Sequence, residues 1–214
     1  MACPTDRREA WPVEAHRVLG VGRVCSFVED DIRPPAGDVF TRQYLTHPGA
    51  VAVMALDDQG RLATVHQYRH PVAMRLLEPP AGLLDHADED FLVAAQRELA
   101  EEALLQASDW RVLVDLFTTP GGCEESIRIY LARGLPPAAR PEGFVGEDEE
   151  AHMTIEWVSL DEAVDAILAG EVQSPSMVSG TLALQPAIPP GAVARLRPAD
   201  PPWTPPEAWA ARVP

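Results

Sequence analysis

The 214-residue chain contains no lysine, so all 17 of its strongly basic residues are arginine, set against 33 aspartates and glutamates. A formal net charge of −16 speaks against the basic stripe by which proteins neutralise a nucleic-acid backbone, and no nucleic-acid partner is expected. A small phosphate-bearing ligand stays compatible with that charge, because a divalent metal bridges phosphate to carboxylates. Cysteine is scarce: Cys3, Cys25 and Cys123 are far apart, odd in number, and have no Cys-x-x-Cys pair or histidine partner at zinc spacing. Neither a disulfide framework nor a structural zinc is indicated, and a reducing cytoplasm is the expected setting. Apolar runs long enough to span a bilayer are missing, so no membrane partner is expected. The opening "MACPTDRREAWPVEAHRV" carries charges where a secretory signal needs an apolar core.

What is present reads as globular. A hydrophobic content of 46% with 23% charged residues supports a packed core in one sizeable domain. "LGVGRVCSFV" (Leu19 to Val28) and "DVFTRQYLTH" suit strands, with "EDDIRPPAGD" as the turn between them, and "GAVAVMALDDQGRLATVHQYRHPV" reads as a second hairpin. Residues 89–104 lack Gly and Pro and are rich in Ala, Leu, Glu and Gln, which predicts a helix. "WRVLVDLFTTPGG", "SIRIYLARGL" and "MTIEWVSL" are further strands. Ser159 with Glu162 has capping-box spacing at the start of a second helix that closes at Gly170, and a third runs from about Ser174 to Leu184. The sum is an α+β fold in the range of an α/β/α sandwich, with a mixed sheet between helices and an N-terminal antiparallel β element. The expected organisation is 1–47 for that element, 48–185 for the main domain and 186–214 for a proline-rich tail, extended or partly disordered.

The chemistry concentrates in "EPPAGLLDHADEDFLVAAQRELAEEALL" (Glu78 to Leu105). On a helix Glu98, Glu101 and Glu102 share a face, while Leu92, Ala95 and Leu99 form an adjoining apolar one. An acidic helix face is ordinarily just solvated. Here the carboxylates repel at i,i+4 spacing, at about 0.2–0.5 kcal/mol per pair, a cost that a bound cation reverses. The turn at Gly82 also brings backbone to the same helix.

The string Gly82-x6-Glu89-x7-Arg97-Glu98-Leu99-x-Glu101-Glu102-x-Leu104-Leu105 resembles the Nudix box, Gly-x5-Glu-x7-Arg-Glu-U-x-Glu-Glu-x-Gly-U, with U a bulky aliphatic residue. There are two departures: one extra residue between Gly82 and Glu89, and Leu104 where glycine is usual. Losing that glycine removes the residue best suited to a left-handed helix end. The resemblance implies a Nudix fold in which Glu98, Glu101 and Glu102 coordinate Mg²⁺ or Mn²⁺, helped by the Ala81 carbonyl, while Arg97 and Glu89 fix helix and loop. Arg97 and Glu102 are thereby counted with the catalytic machinery.

Outside the box, "HPGAVAVMAL", "VHQYRHPV", "EPPAGLLD" and "TTPGGCEES" resemble the ADP-ribose pyrophosphatase branch of that family over most of Val39 to Ile167. That branch cleaves the diphosphate of ADP-ribose or related nucleoside diphosphate sugars, giving AMP and ribose 5-phosphate in the ADP-ribose case. It usually works as a homodimer, which the extra N-terminal hairpin fits. An acidic loop supplies its glutamate; the matching stretch "GEDEEAHMTIEW" offers Glu150 first and Glu149 second, as metal ligand or general base. Arg69 is a candidate partner for substrate phosphate. Glu78 is placed against Arg97 or a ribose hydroxyl, and Gly121 with Gly122 lets backbone approach a ligand. Glu125 aligns with an acidic residue of the family's loop. Trp11 and Tyr44 are candidates to stack an adenine, and Trp157 is assigned to the core. Two other readings are a nucleotide-sugar sensor that does not cleave, and a hydrolase of nucleoside triphosphates or dinucleotide polyphosphates. Three intact carboxylates speak against the first, and the N-terminal hairpin against a minimal triphosphatase.

Overall fold

The computed structural model describes residues 3–85, 89–139 and 152–203. Its chain forms two compact units. The first consists of the described parts of Met1–Pro48, Thr119–Glu125 and Pro202–Pro214, and the second of those in Gly49–Thr118 and Ser126–Pro201.

The first unit is an antiparallel sheet of β1 (Val13–Val21), β2 (Ser26–Ile32) and β3 (Phe40–Leu45) in that order. The expected Leu19–Val28 strand is instead the corner of a hairpin: Gly22 N–H donates to the Cys25 carbonyl at 2.8 Å, and the segment expected as a turn begins inside β2. Arg17 of β1 ties the sheet across, donating to Glu29 and bidentately to Asp31 of β2. The guanidinium holds the Asp31 carboxyl down at about 2. Asp30, facing the other way, takes His16 Nδ1 at 2.6 Å and the Tyr44 hydroxyl at 2.8 Å. The loop Thr119–Glu125 joins the edge of β3, with Leu45 N–H donating to Gly122 and Glu124 N–H to Leu45.

The second unit is a three-layer sandwich. Its mixed sheet contains β4 (Ala50–Leu56), β5 (Arg61–Arg69), β6 (Met74–Glu78), β7 (Ala81–Leu83), β8 (Asp109–Phe117), β9 (Ser126–Arg133) and β10 (Thr154–Ser159). The main path runs β10-β5-β4-β9-β8, with β6 on β5 and β7 on β4; β4 and β9 are parallel, and the other pairs antiparallel. Central β4 is buried throughout, so its alternate side chains fill two cores. Val51, Val53 and Ala55 pack with Ala94, Ala95, Leu99 and Ala103 of α1 (Phe91–Ala103). Ala50, Ala52, Met54 and Leu56 pack with Ala163 of α2 (Leu160–Leu168) and with Met177 and Leu184 of α3 (Pro175–Leu184).

The capping box of α2 is formed, with Ser159 accepting from Glu162 N–H while Glu162 accepts from Ser159 N–H. The segment from Pro186, expected to be extended, is folded back through Pro201. Ala187 is buried, Val193 and Leu196 pack on the α2/α3 side, and Arg197 pairs with Asp115. Apolar residues interspersed with the prolines supply the reason. Trp157, expected in the core, is 40% exposed, because β10 is the edge strand; the Arg61 guanidinium lies over its ring. No helix among the described residues is long and apolar enough to cross a membrane.

Gly180 of α3 lies where a Cβ would stand 2.5 Å from Met54 Sδ and 2.9 Å from its Cγ. Gly180→Ala is therefore expected to cost about 1–3 kcal/mol in urea unfolding. Combined with Met54→Val it should cost less than the sum of the two single changes; strict additivity would show that the two residues do not compete for the same space.

Candidate active site

Helix α1 starts at Asp90, whose side chain caps it by accepting from Val93 N–H at 2.8 Å. Its buried stripe is mainly alanine and leucine, but it includes Glu98 and Glu102, which are only 8% and 9% exposed. Two buried carboxylates on one helix require compensation, and the surroundings supply part of it. Arg97 Nε and Nη2 each donate to one oxygen of Glu89 at 3.0 Å, and Nη1 donates to Glu98 at 2.6 Å and Glu101 at 3.1 Å. These bonds, those to Glu89 foremost, raise the arginine pKa further above its ordinary value. Glu102 accepts from the Ala81 backbone N–H at 2.9 Å.

Gly82 is the other half of the arrangement. A Cβ there would fall 1.8 Å from Glu98 Oε1, so only glycine lets β7 run this close to the carboxylate. Strand β7 is held by pairing Val51 with Gly82 and Ala52 with Ala81, and Val53 N–H donates to the Pro80 carbonyl at 2.8 Å. Loop and helix thus bring Ala81, Gly82, Glu98 and Glu102 together, with Glu101 and Glu89 joined through Arg97.

The position taken by glycine in the box pattern is a left-handed residue here too. Leu104 adopts φ 57°, ψ 38° and ends α1, with Leu105 N–H reaching back to the Leu99 carbonyl at 3.3 Å. The helix therefore ends as the pattern requires, at a steric cost of about 1–2 kcal/mol.

The NUDIX domain family profile matches residues 46–178. The chain belongs to the Nudix family. An ADP-ribose pyrophosphatase of Mycobacterium tuberculosis is 46% identical over 91% of this chain and 92% of its own length. The ADP-ribose pyrophosphatase of Bacillus subtilis is 31% identical over 71% of this chain and 80% of its own. A methanol dehydrogenase activator of Bacillus methanolicus is 37% identical over 68% and 77%. In fold, a crystal structure of an ADP compounds hydrolase covers 85% of this chain and 95% of its own with a TM-score of 0.68 at 20% identity. The α+β Nudix fold is that expected from the box.

Nudix hydrolases in general need a divalent metal. The donor set fits one: carboxylate oxygens are hard ligands, and the glycine opening at Gly82 leaves Glu98 with no side chain in its way. Among the described residues no three His, Cys, Asp or Glu side chains stand grouped as metal ligands. Arg97 instead draws Glu98 and Glu101 to itself, and a cation would compete with it for these oxygens.

Other expected residues are distributed differently. Glu78, 6% exposed, does not meet Arg97; it pairs with Arg69, whose Nη2 reaches it at 2.6 Å. The two lie at opposite ends of the β5–β6 ladder, in which Arg69 pairs with Met74 and Val65 with Glu78, so their side chains meet along the ladder rather than straight across it. Gly121 and Gly122 sit in a turn closed onto the Thr119 carbonyl; neither has a positive φ, and a Cβ at either would meet nothing within 4 Å. Glu125 belongs with His47, whose Nε2 is 3.7 Å from its carboxylate. Trp11 packs edge-on against Phe40. Glu149 and Glu150 lie outside the described residues. Sequence reasoning passed over His47 and the fully buried Arg128. For Arg128 a signal existed, namely an arginine inside the apolar run "SIRIYLAR".

Two measurements follow. Leu104→Gly should leave stability within about 1 kcal/mol, since relief of the left-handed strain offsets the lost side chain and the added freedom of the unfolded chain, whereas β-branched Leu104→Val should lower it by more; equal effects in thermal unfolding would contradict the strain. Burial lowers the His47 pKa, and Glu125 opposes this. As pH falls below about 6.5, the unfolded chain binds the proton first, so stability is lost until the lower folded pKa is passed. His47→Gln should flatten that slope in urea midpoints measured against pH, and an unchanged slope would remove His47 from the account.

Proposed function

We propose that this chain is an Mg²⁺-dependent pyrophosphatase acting on ADP-ribose or a kindred nucleoside diphosphate sugar, releasing AMP and, from ADP-ribose, ribose 5-phosphate. The observation that carries this reading is the 46% identity with the M. tuberculosis ADP-ribose pyrophosphatase across nearly the whole of both chains. The cluster built on Gly82, Arg97, Glu98 and Glu102 supports it from the side of chemistry.

Glu98, Glu101 and Glu102, with the Ala81 carbonyl, would hold Mg²⁺ or Mn²⁺. When bound, such an ion neutralises charge on the diphosphate and makes an attacking water more acidic. The protein does the rest by position. Arg97, anchored on Glu89, limits the rotamers of Glu98 and Glu101 and disperses their mutual repulsion. The Ala81 N–H sets the orientation of Glu102. Arg69, held by buried Glu78, directs a guanidinium that suits phosphate oxygens. In this reading Glu150, or else Glu149, takes the proton of the water, while Gly121 and Glu125 help bind the substrate. The enzyme would work in the cytoplasm as a homodimer through its N-terminal sheet, without nucleic-acid or membrane partners. Exposed Val18, Val21, Val24 and Phe27 are in keeping with the dimer.

The test is AMP release from ADP-ribose with Mg²⁺, in the natural chain and in Glu102→Gln. The amide can still accept from Ala81 N–H, so the fold should persist while turnover falls by at least about a hundredfold. No AMP from the natural chain, across ADP-ribose, ADP-glucose and diadenosine polyphosphates, would overturn the reading.

A further inference from the structure

Among its described residues, the most deeply buried charge of the second unit lies outside the carboxylate cluster. Arg128, in the middle of β9, is 1% exposed. A guanidinium withdrawn from water must have its N–H groups satisfied, and Arg128 meets this demand. Nε and Nη2 donate to the two oxygens of Asp115, its ladder partner on β8, at 2.8 and 3.0 Å, and Nη1 donates to the Pro201 carbonyl at 2.9 Å. Asp115 also accepts from Arg197 at 2.6 Å. Joining two strands would need no more than Asp115. The guanidinium carbon, however, lies over the ring of Phe91, 4.9 Å from its centre, a cation–π contact strengthened by burial.

Phe91 is the first residue of α1, next to its cap Asp90 and two places after Glu89, which receives both N–H bonds from Arg97. The guanidinium therefore lies under the end of the helix from which the carboxylate cluster is braced. Alternation along β9 directs Arg128 to the same side as Tyr130 and Ala132, both packed in the core beneath α1. We infer that Arg128 is a positioning residue for the carboxylate cluster: through Phe91 it fixes the start of α1, and with it the Glu89–Arg97 brace that sets Glu98 and Glu101.

This inference rests on the cluster being a divalent-metal site, and the experiment separates the two. Mn²⁺ binding to the full chain is followed by electron paramagnetic resonance in the natural protein, Arg128→Lys, Phe91→Leu and, as control, Arg197→Gln, alongside thermal unfolding and kinetics with ADP-ribose. Arg128→Lys keeps the charge and loses the planar fork; Phe91→Leu keeps apolar bulk and loses the ring. Each should weaken Mn²⁺ binding by about tenfold and lower kcat with little change in KM, while Arg197→Gln leaves Mn²⁺ binding within about twofold of the natural chain. Should Arg128→Lys fail to fold, Phe91→Leu carries the test alone. Natural Mn²⁺ affinity in Phe91→Leu, with only a lower unfolding midpoint, would overturn the positioning role and leave the metal site standing. A natural chain that binds no Mn²⁺ would overturn both.

Discussion

One guanidinium holds the candidate site together. Arg97 contacts Glu89, Glu98 and Glu101, so three carboxylates share a single cation, and Glu102 stands one turn beyond Glu98 on the same helix. Such a group is tolerable only because each acid has a hydrogen-bond donor. Glu102 has a backbone N–H, Glu98 and Glu101 share one arginine nitrogen, and Glu89 takes a two-pronged bond that fixes the guanidinium plane. The arrangement remains electron-rich, which is the condition under which hard cations are bound in proteins. Its geometry originates in the turn before the helix as much as in the helix. Without the bare backbone at Gly82, Glu98 would have to turn away from β7.

The rest of the sandwich serves to hold that turn against that helix. Strand β4 supports both: its first half pairs with β7, and its odd-numbered side chains form the floor on which Ala94, Ala95 and Leu99 rest. Small residues on the facing side of α1 bring the helix close to the sheet, and closeness is what allows a glutamate from the helix to accept a hydrogen bond from a strand backbone. The same closeness explains why an alanine-rich stripe tolerates two acids: the polar ends reach beyond the edge of the core to the β7 backbone while the methylene groups stay within it.

Local signals in the chain were reliable where the physics is local. The period of residues 89–104, the Ser159–Glu162 cap and the spacing of the box depend on neighbours within one or two helical turns, and each is realised. Leu104 shows how far such a pattern reaches: the left-handed end persists without glycine because the following chain, bonded at Leu104, Leu105 and Gln106 to residues 136–138, demands that direction. What stayed hidden depends on partners remote in sequence. The Arg69–Glu78 pair needs the β5–β6 ladder, and the burial of Arg128 needs Asp115 and Pro201, the latter 73 residues away. The first hairpin was misplaced because valines on either side of Gly22–Cys25 mask a tight corner, and Trp157 because an edge strand and an inner strand look alike until the sheet order is known.

The notch at Gly180 that receives Met54 has a consequence for how β4 threads. Of the side chains β4 sends toward α2 and α3, Met54 is the longest, and it meets a helix at the one place where that helix carries no side chain. A shift of β4 by one residue would turn Met54 toward the alanine-lined side of α1 and leave the notch hollow. Because β7 takes its place from β4, the same shift would carry Ala81 and Gly82 out of reach of the glutamates. A methionine seated in a glycine gap, remote from any reacting atom, thus acts as an index pin that decides whether the acids find their strand.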